Sequence, residues 1–225
     1  MAIILSIETA TTNCSVSLSK EGETFALKED YNTNYSHAER LHVFIDEILK
    51  ESKTDKSEIT AVAVSKGPGS YTGLRIGVSA AKGLCYALNV PLISVSTLEA
   101  LAHQVEIDQG FIIPMLDARR MEVYAEVFNS KHQSLRSVKA EVLDETSYAD
   151  YLNMDMVYFV GNGVEKTKSL ICHKHANFVE NRLPSAQEMG ALAYQKYKKS
   201  DTEDVAYFEP YYLKDFVALK PKPKL

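Results

Sequence analysis

The sequence predicts an α/β protein built as two lobes, and three observations carry that expectation. Runs rich in β-branched residues alternate with segments of helical periodicity. The order of elements before Gly110 partly recurs after it, with no recurrence of the sequence itself. A break at residues 108–110 separates the two series. A chain of 225 residues can bury cores of this kind without disulfide support.

Residues 3–8, 14–19 and 24–28 are strand-like runs separated by the polar turns Thr11-Thr12-Asn13 and Lys20-Glu21-Gly22, which predicts an antiparallel meander. A helix follows, opened by the capping-box pattern Ser36-x-x-Glu39 and carrying Ala38, Leu41, Ile45, Ile48 and Leu49 at helical spacing. Next come a strand at residues 59–64, a glycine-rich turn, a helix over about residues 74–88, a strand at 91–95 and a helix at 97–104. Beyond Gly110 the pattern predicts strands at 111–116, 122–128 and, weakly, 138–142, then a helix at 147–152 and a strand at 156–160. The turn Gly161-Asn162-Gly163 and a helix from 185 to about 198 complete the series. The expected division is therefore an N-terminal lobe at 1–108 and a C-terminal lobe at 109–225. The second ends in a flexible basic tail, Lys220-Pro221-Lys222-Pro223-Lys224, read as a solvated end rather than an RNA-binding finger.

Composition narrows the function. A formal net charge of −5 disfavours a chain whose main role is neutralising nucleic-acid phosphates, so any RNA contact is expected to be local. Cys14, Cys85 and Cys172 form no C-x-x-C pair, which fits idle thiols in a reducing, cytoplasmic setting. The apolar run at residues 2–7 lacks a basic leader and reaches Glu8 too soon for a signal peptide or membrane span.

The stretch Ser65-Lys66-Gly67-Pro68-Gly69-Ser70-Tyr71-Thr72-Gly73-Leu74-Arg75-Ile76-Gly77 runs from strand through turn into helix, a context that suits an anion at the helix start. The spacing of Gly67, Gly69 and Gly73 matches neither a Walker nor a Rossmann loop, and Gly73 is followed by Leu74 and Arg75 instead of Lys-Ser or Lys-Thr. Pro68 and Thr72 occupy the places where a nucleophile elbow around Ser70 needs glycine, so Ser70 is expected to be a helix N-cap or turn residue. His37 and His42 lie about 140° apart around one helix and cannot chelate a single ion from it. Cys172-His173-Lys174-His175 is too short and isolated to be read as a metal site. Glu8 and Asp117 end strands at positions where α/β sheets hold functional groups. Either they bind Mg²⁺, or Glu8 orders the following turn and Asp117 pairs with Arg119 or Arg120.

Small residues Gly77, Ser79, Ala80, Ala81 and Gly83, with Leu84, Tyr86 and Leu88, surround most of the second helix. His37, Leu41, Val43 and Phe44 widen the apolar stripe of the first. Helices apolar on so many sides call for cover on those sides, and the expectation is a protein interface.

These motifs carry a resemblance. Ile7-Glu8-Thr9-Ala10-Thr11 with Cys14-Ser15-Val16, the glycine stretch 66–77, Val95-Ser96-Thr97-Leu98, Asp117-Ala118-Arg119 with Glu122-Val123-Tyr124, and Glu209-Pro210 with Tyr212-Leu213 closely resemble the TsaB (YeaZ) family. The match is dense before Gln104 and thinner between Ser130 and Arg182. Met121 stands where a glycine is usual before the Glu-Val-Tyr run.

The resemblance implies an actin-like (Hsp70-like ATPase, ASKHA) fold of two βββαβα-type lobes. It also implies a non-catalytic accessory role in forming N6-threonylcarbamoyladenosine at position 37 of tRNAs reading codons that begin with A. The implied partners are TsaD, which the chain would bind and activate, and the small ATPase TsaE. A homodimer would form when TsaD is absent, and tRNA would be met mainly through the complex. The H-x-x-x-H metal motif of TsaD-like chains would fall on Thr97 and Leu101, which cannot ligate a metal. No cofactor is implied, with ATP or ADP at the TsaD interface left open. The interface role is carried to His37, Leu41, Phe44, Ile45, Arg75, Ile76, Ser79, Ala80 and Gly83. The alternative is an independent enzyme of glycoprotease-like or sugar-kinase-like ATPase type.

Overall fold

A computed structural model describes residues 1–31 and 37–214. The first sheet contains β1 (Ile3–Glu8), β2 (Cys14–Lys20), β3 (Glu23–Asp30), β4 (Ala61–Gly67) and β5 (Leu92–Ser96), in the order β3-β2-β1-β4-β5. The first three strands are antiparallel neighbours, as the meander predicts, and β4 and β5 add parallel to them. Parallel strands need crossovers, supplied here by α1 (His37–Ser52) and α2 (Tyr71–Leu88). The second sheet repeats the plan with β6 (Phe111–Asp117), β7 (Glu122–Asn129), β8 (Ser134–Val142), β9 (Val157–Val160) and β10 (Ala176–Val179), in the order β10-β9-β6-β7-β8. Its helices are α4 (Ala149–Met154) and α5 (Val164–Leu170). Both lobes thus share the topology of the actin-like fold.

Alternation along the strands decides what covers each face. On one side of the first sheet Ile3, Leu5, Ile7, Cys14, Val16, Leu18, Val62 and Val64 meet α1 and α2. On the other, Ile4, Ala61, Ala63, Ile93 and Val95 meet α6 (Met189–Lys198) and α3 (Thr97–Ala102). Residues Ser15, Ser17 and Ser19 of β2 face that second side, and they are short enough to let the chain before α6 lie directly on the strand. The Ala186 N–H donates to Ser15 Oγ at 2.8 Å and the Ser17 hydroxyl donates to the Ala186 carbonyl at 2.6 Å. Residues 109–225 therefore do not all surround the second sheet, because α6 returns to the first.

Helix α3 lies between the sheets. Its Ala100 packs with Ile93 and Val95, while Leu98, Leu101 and Ala102 pack with Ile112, Leu116, Phe128 and Val160. Each fully buried leucine here is worth about 1.5–3 kcal/mol relative to exposure, so this short helix joins two cores.

Several boundaries differ from the expected ones for local reasons. α2 begins at Tyr71 because the Ser70 side chain caps it, accepting from the Gly73 N–H at 3.3 Å. β8 starts at Ser134, earlier than its mostly polar, half-exposed side chains signal. α5 and β10 escape the sequence pattern altogether, since α5 is polar at all five positions between Val164 and Leu170 and the four residues of β10 are all half-buried, with no alternation between faces. α6 begins at Met189, four residues late, because the residues before it are spent on the sheet, Ala186 bonding to β2 and Ser185 and Gln187 to Glu29 and Thr24 of β3. Ser36 of the expected capping box and the basic tail 220–224 lie outside the described residues.

Candidate functional site

The glycine-rich turn is built for close packing inside the lobe. Gly69, Gly73 and Gly77 are spaced by four, so on α2 and its approach they form one row. A Cβ on Gly69 would stand 2.6 Å from Ala10, one on Gly73 would strike the Thr9 carbonyl, and one on Gly77 would strike Thr9 Oγ1. The row therefore seats α2 on the turn after β1, where Thr9 Oγ1 donates to the Gly73 carbonyl at 2.8 Å and the Ser70 N–H donates to the Ala10 carbonyl at 2.7 Å. Gly67 acts differently, and with φ of +110° it reverses the chain at the end of β4. Ser70 is a cap, and Pro68 lines the cleft described below.

Glu8 sits beneath this turn, fully buried at the end of β1. Its Oε1 accepts from the Ala10 N–H at 2.6 Å and from the Ser65 hydroxyl at 2.9 Å, while Oε2 has no hydrogen-bond partner among the described residues. Burial pushes its pKa up to about 7, with the bonds from Ala10 and Ser65 opposing the rise. Glu8 thus orders the turn that follows it. Asp117, at the matching end of β6, is exposed and ion-paired to Lys166, which also donates to the Arg120 carbonyl at 2.6 Å. The expected pairing of Asp117 with Arg119 or Arg120 is corrected on this point: both arginines occupy left-handed backbone positions in the hairpin turn, φ +70° and +51°, and Lys166 from α5 reaches the carboxylate instead. Met121 is not among the positive-φ residues, so this turn does not require glycine there.

Between the lobes lies a cleft of about 680 Å³, lined by Thr11, Gly69 to Gly73, Asp117, Arg119, Asn162 and the chain at Tyr211 to Lys214. A second concavity, a groove of about 730 Å³, runs along α2 beside α1. It is lined by His42, Tyr71, Thr72, Arg75, Ile76, Ser79, Ala80, Gly83 and Leu84.

The groove gathers five of the nine expected interface residues: Arg75, Ile76, Ser79, Ala80 and Gly83. Of these Arg75, Ser79 and Gly83 are exposed, Ile76 is half-buried and Ala80 is only 8% exposed. His37, Leu41, Phe44 and Ile45 are buried inside the lobe. His37 Nε2 lies 2.7 Å from the Thr11 carbonyl, and the other three fill the core under α1. What α1 exposes near this end is Ala38, Glu39, Arg40, His42 and Val43. His42, Tyr71 and Thr72 line the groove without having been singled out for it, and Leu84, named only among the apolar residues around α2, joins them. Of these, Thr72 has a signal in the sequence, because with Arg75, Ser79 and Gly83 it forms a stripe opposite Leu74, Val78, Ala81 and Cys85, and that stripe is exposed.

Gly83 differs from the seated row. Around a Cβ built there, nothing lies within 4 Å. A glycine inside a helix costs about 1 kcal/mol against alanine, and no contact within the described chain explains that cost.

Thr97 and Leu101 are both fully buried, and Leu101 packs among Ile112, Leu116 and Val160. In the Cys172 to His175 segment, His175 Nδ1 lies 2.8 Å from the Leu152 carbonyl and His173 Nδ1 accepts from the His175 N–H. No group of three His, Cys, Asp or Glu side chains able to hold an ion is found among the described residues. Burial pushes the thiols of Cys14 and Cys85 up to about 12 and about 11, so neither is a nucleophile at neutral pH. No described helix is long and apolar enough to cross a membrane.

Comparison with known proteins adds three findings. The family model described as "TsaD: tRNA N6-adenosine threonylcarbamoyltransferase" matches residues 32–222. The chain is 33% identical to the tRNA threonylcarbamoyladenosine biosynthesis protein TsaB of Escherichia coli, covering 98% of each, and 31% identical to that of Haemophilus influenzae, covering 98% of this chain and 97% of the other. Among solved structures, YeaZ from Pseudomonas aeruginosa superposes with a TM-score of 0.81 at 25% identity, covering 95% of this chain and 100% of that one.

Proposed function

The chain belongs to the TsaB family of tRNA threonylcarbamoyladenosine biosynthesis proteins, and on that premise we propose that it is a non-catalytic subunit which docks on TsaD through the α1–α2 groove and activates it. The product is N6-threonylcarbamoyladenosine at position 37 of tRNAs reading codons that begin with A, and TsaE joins the assembly in the cytoplasm. Without TsaD, a second copy of the chain occupies the same groove, as a self-complementary surface permits.

Gly83 is the observation that carries the reading. A helix surface that keeps a glycine at a standing cost, with open space over it and Ser79 and Ala80 one turn away, fits the close approach of another backbone. The family model bears the transferase's name, yet this chain has Thr97 and Leu101 where the resemblance places metal-ligating histidines, and both are core residues. That weighs for an accessory role.

The test is product formation on unmodified tRNA with TsaD, TsaE and a threonylcarbamoyl-adenylate supply, read by mass spectrometry of the nucleosides. Repeated turnover should require this chain, and the chain alone should yield none. Equal product without it would overturn the proposal.

A further inference from the structure

The segment after α6 takes a long route. Glu203 pairs with the edge of β5, its N–H donating to the Leu92 carbonyl at 2.8 Å and its carboxylate accepting from the Ser94 hydroxyl at 2.5 Å. The chain then crosses α2, where the Lys82 ammonium donates to the carbonyls of Ala206 and Phe208 at 2.9 and 3.2 Å, and Val205 and Phe208 join the core. Up to Phe208 it is firmly anchored. From Glu209 onward the contacts change. The Tyr211 N–H donates to the Lys66 carbonyl at 2.7 Å, the Tyr212 ring lies 4.9 Å from the Tyr71 ring, and Lys214 reaches across the cleft to pair with Glu122 of β7. Tyr211 to Lys214 form part of the cleft wall.

These contacts hold the segment across the cleft with unequal strength. The ion pair to the second lobe is partly exposed at both ends, a weak class of contact. The seat at Gly67 is exacting, since a Cβ there would stand 2.7 Å from the Tyr211 carbonyl oxygen. The strap is also wired to the groove. Arg75, which lines the groove, donates through Nη1 to the Tyr71 hydroxyl at 2.5 Å and stacks its guanidinium 5.0 Å from the same ring that Tyr212 covers.

We propose that residues 209–214 are a strap closing the interlobe cleft, and that a partner docking in the α1–α2 groove releases it by drawing Arg75 away from Tyr71. The coupling to docking rests on the function proposed above; the strap itself does not. Release would expose the Gly69 to Gly73 turn and the cleft wall at Asp117 without any change in the sheets, a shift between two states that docking biases.

Amide hydrogen exchange on the full chain tests both halves. In the isolated protein, Tyr212→Ala and Arg75→Ala should each raise exchange over residues 66–73 and 209–214 by about fivefold, the ratio that follows from losing one contact of ordinary hydrogen-bond strength. Lys50→Ala, at the far end of α1, should leave it unchanged. Exchange unmoved in the Tyr212 and Arg75 variants overturns the strap. With native chain, adding TsaD should raise exchange at 209–214. If TsaD binds and exchange there stays flat or falls, the release is overturned while docking stands. If TsaD does not bind, docking and release fail together, and the strap is still judged by the isolated variants.

Discussion

The hydroxyl of Thr9 donates to the carbonyl of Gly73 across 2.8 Å, joining the end of β1 to the first turn of α2. The two residues are 64 apart in sequence, and the bond fixes the height at which α2 rides over the sheet. The groove on the outer face of α2 takes its position from that seat.

Two glycines on α2 should therefore respond in opposite ways to the same change. Gly77→Ala places a methyl against Thr9 Oγ1 and should lower stability by about 1–3 kcal/mol through overpacking. Gly83→Ala meets open space and should raise it by up to about 1 kcal/mol. Urea unfolding followed by circular dichroism gives both values, and a destabilised Gly83→Ala would mean that the glycine has an internal role.

At the groove, Ser79→Arg and Gly83→Leu should leave the circular dichroism spectrum intact while weakening TsaD binding by about 2 kcal/mol or more, as central interface positions do. Ala80→Arg is the poorer probe, because Ala80 is only 8% exposed and the substitution disturbs the core as well. Titration calorimetry with TsaD reads the difference, and native affinity in both surface variants would move the docking site elsewhere.

Glu8 should give the protein a distinctive pH dependence. Its folded pKa of about 7 lies above the ordinary value of 4.5, so in that window the folded chain keeps a proton which the unfolded chain has released. Stability is then fully present below about pH 4.5 and falls as pH rises to about 7, by about 3 kcal/mol in total. Glu8→Gln, which keeps an oxygen for the Ala10 and Ser65 donors, should flatten that fall and be the more stable protein at pH 8. Denaturation curves of both proteins from pH 4 to pH 8 measure it, the other groups cancelling in the difference.

Leu101→Ala should cost about 2–5 kcal/mol, the range for a large aliphatic side chain removed from a closed core. Because Leu101 stands where the two lobes meet, both should melt at the lower temperature in one transition. Two separated transitions in calorimetry would show that α3 does not couple them.

Much of the fold was legible in the sequence because its long elements are periodic. The β-branched residues of β1 and β4, the alternation of Cys14, Val16 and Leu18 with serines in β2, and the stripe Leu41, Ile45, Ile48 and Leu49 of α1 announce themselves. α5 and β10 do not. The site was harder to read, for a physical reason. Apolar and small residues around α2 suggest one surface needing cover, but the structure divides them among three environments. Leu74, Val78, Ala81 and Cys85 are buried against the lobe, Gly73 and Gly77 meet Thr9, and the stripe through Thr72, Arg75, Ser79, Gly83 and Tyr86 is left outside. Periodicity reports that a side chain is apolar or small, and only the distant partner Thr9 reveals what a given glycine is for. The same limit explains His37, Leu41, Phe44 and Ile45, whose spacing is that of a covered face whether the cover is the chain's own sheet or another molecule.

The return of α6 to the serine face of β2 governs the order in which the protein can mature on the ribosome. The strands of the first sheet leave the exit tunnel early, but the helix that covers Ile4, Ala61 and Ala63 is made only after every strand of the second sheet. The second lobe, whose elements are nearly contiguous from Phe111 to Val179, can close while the first still shows an uncovered face to chaperones. The half of the protein translated first is thus the half that finishes last, and a premature stop anywhere before Met189 leaves it without its lid.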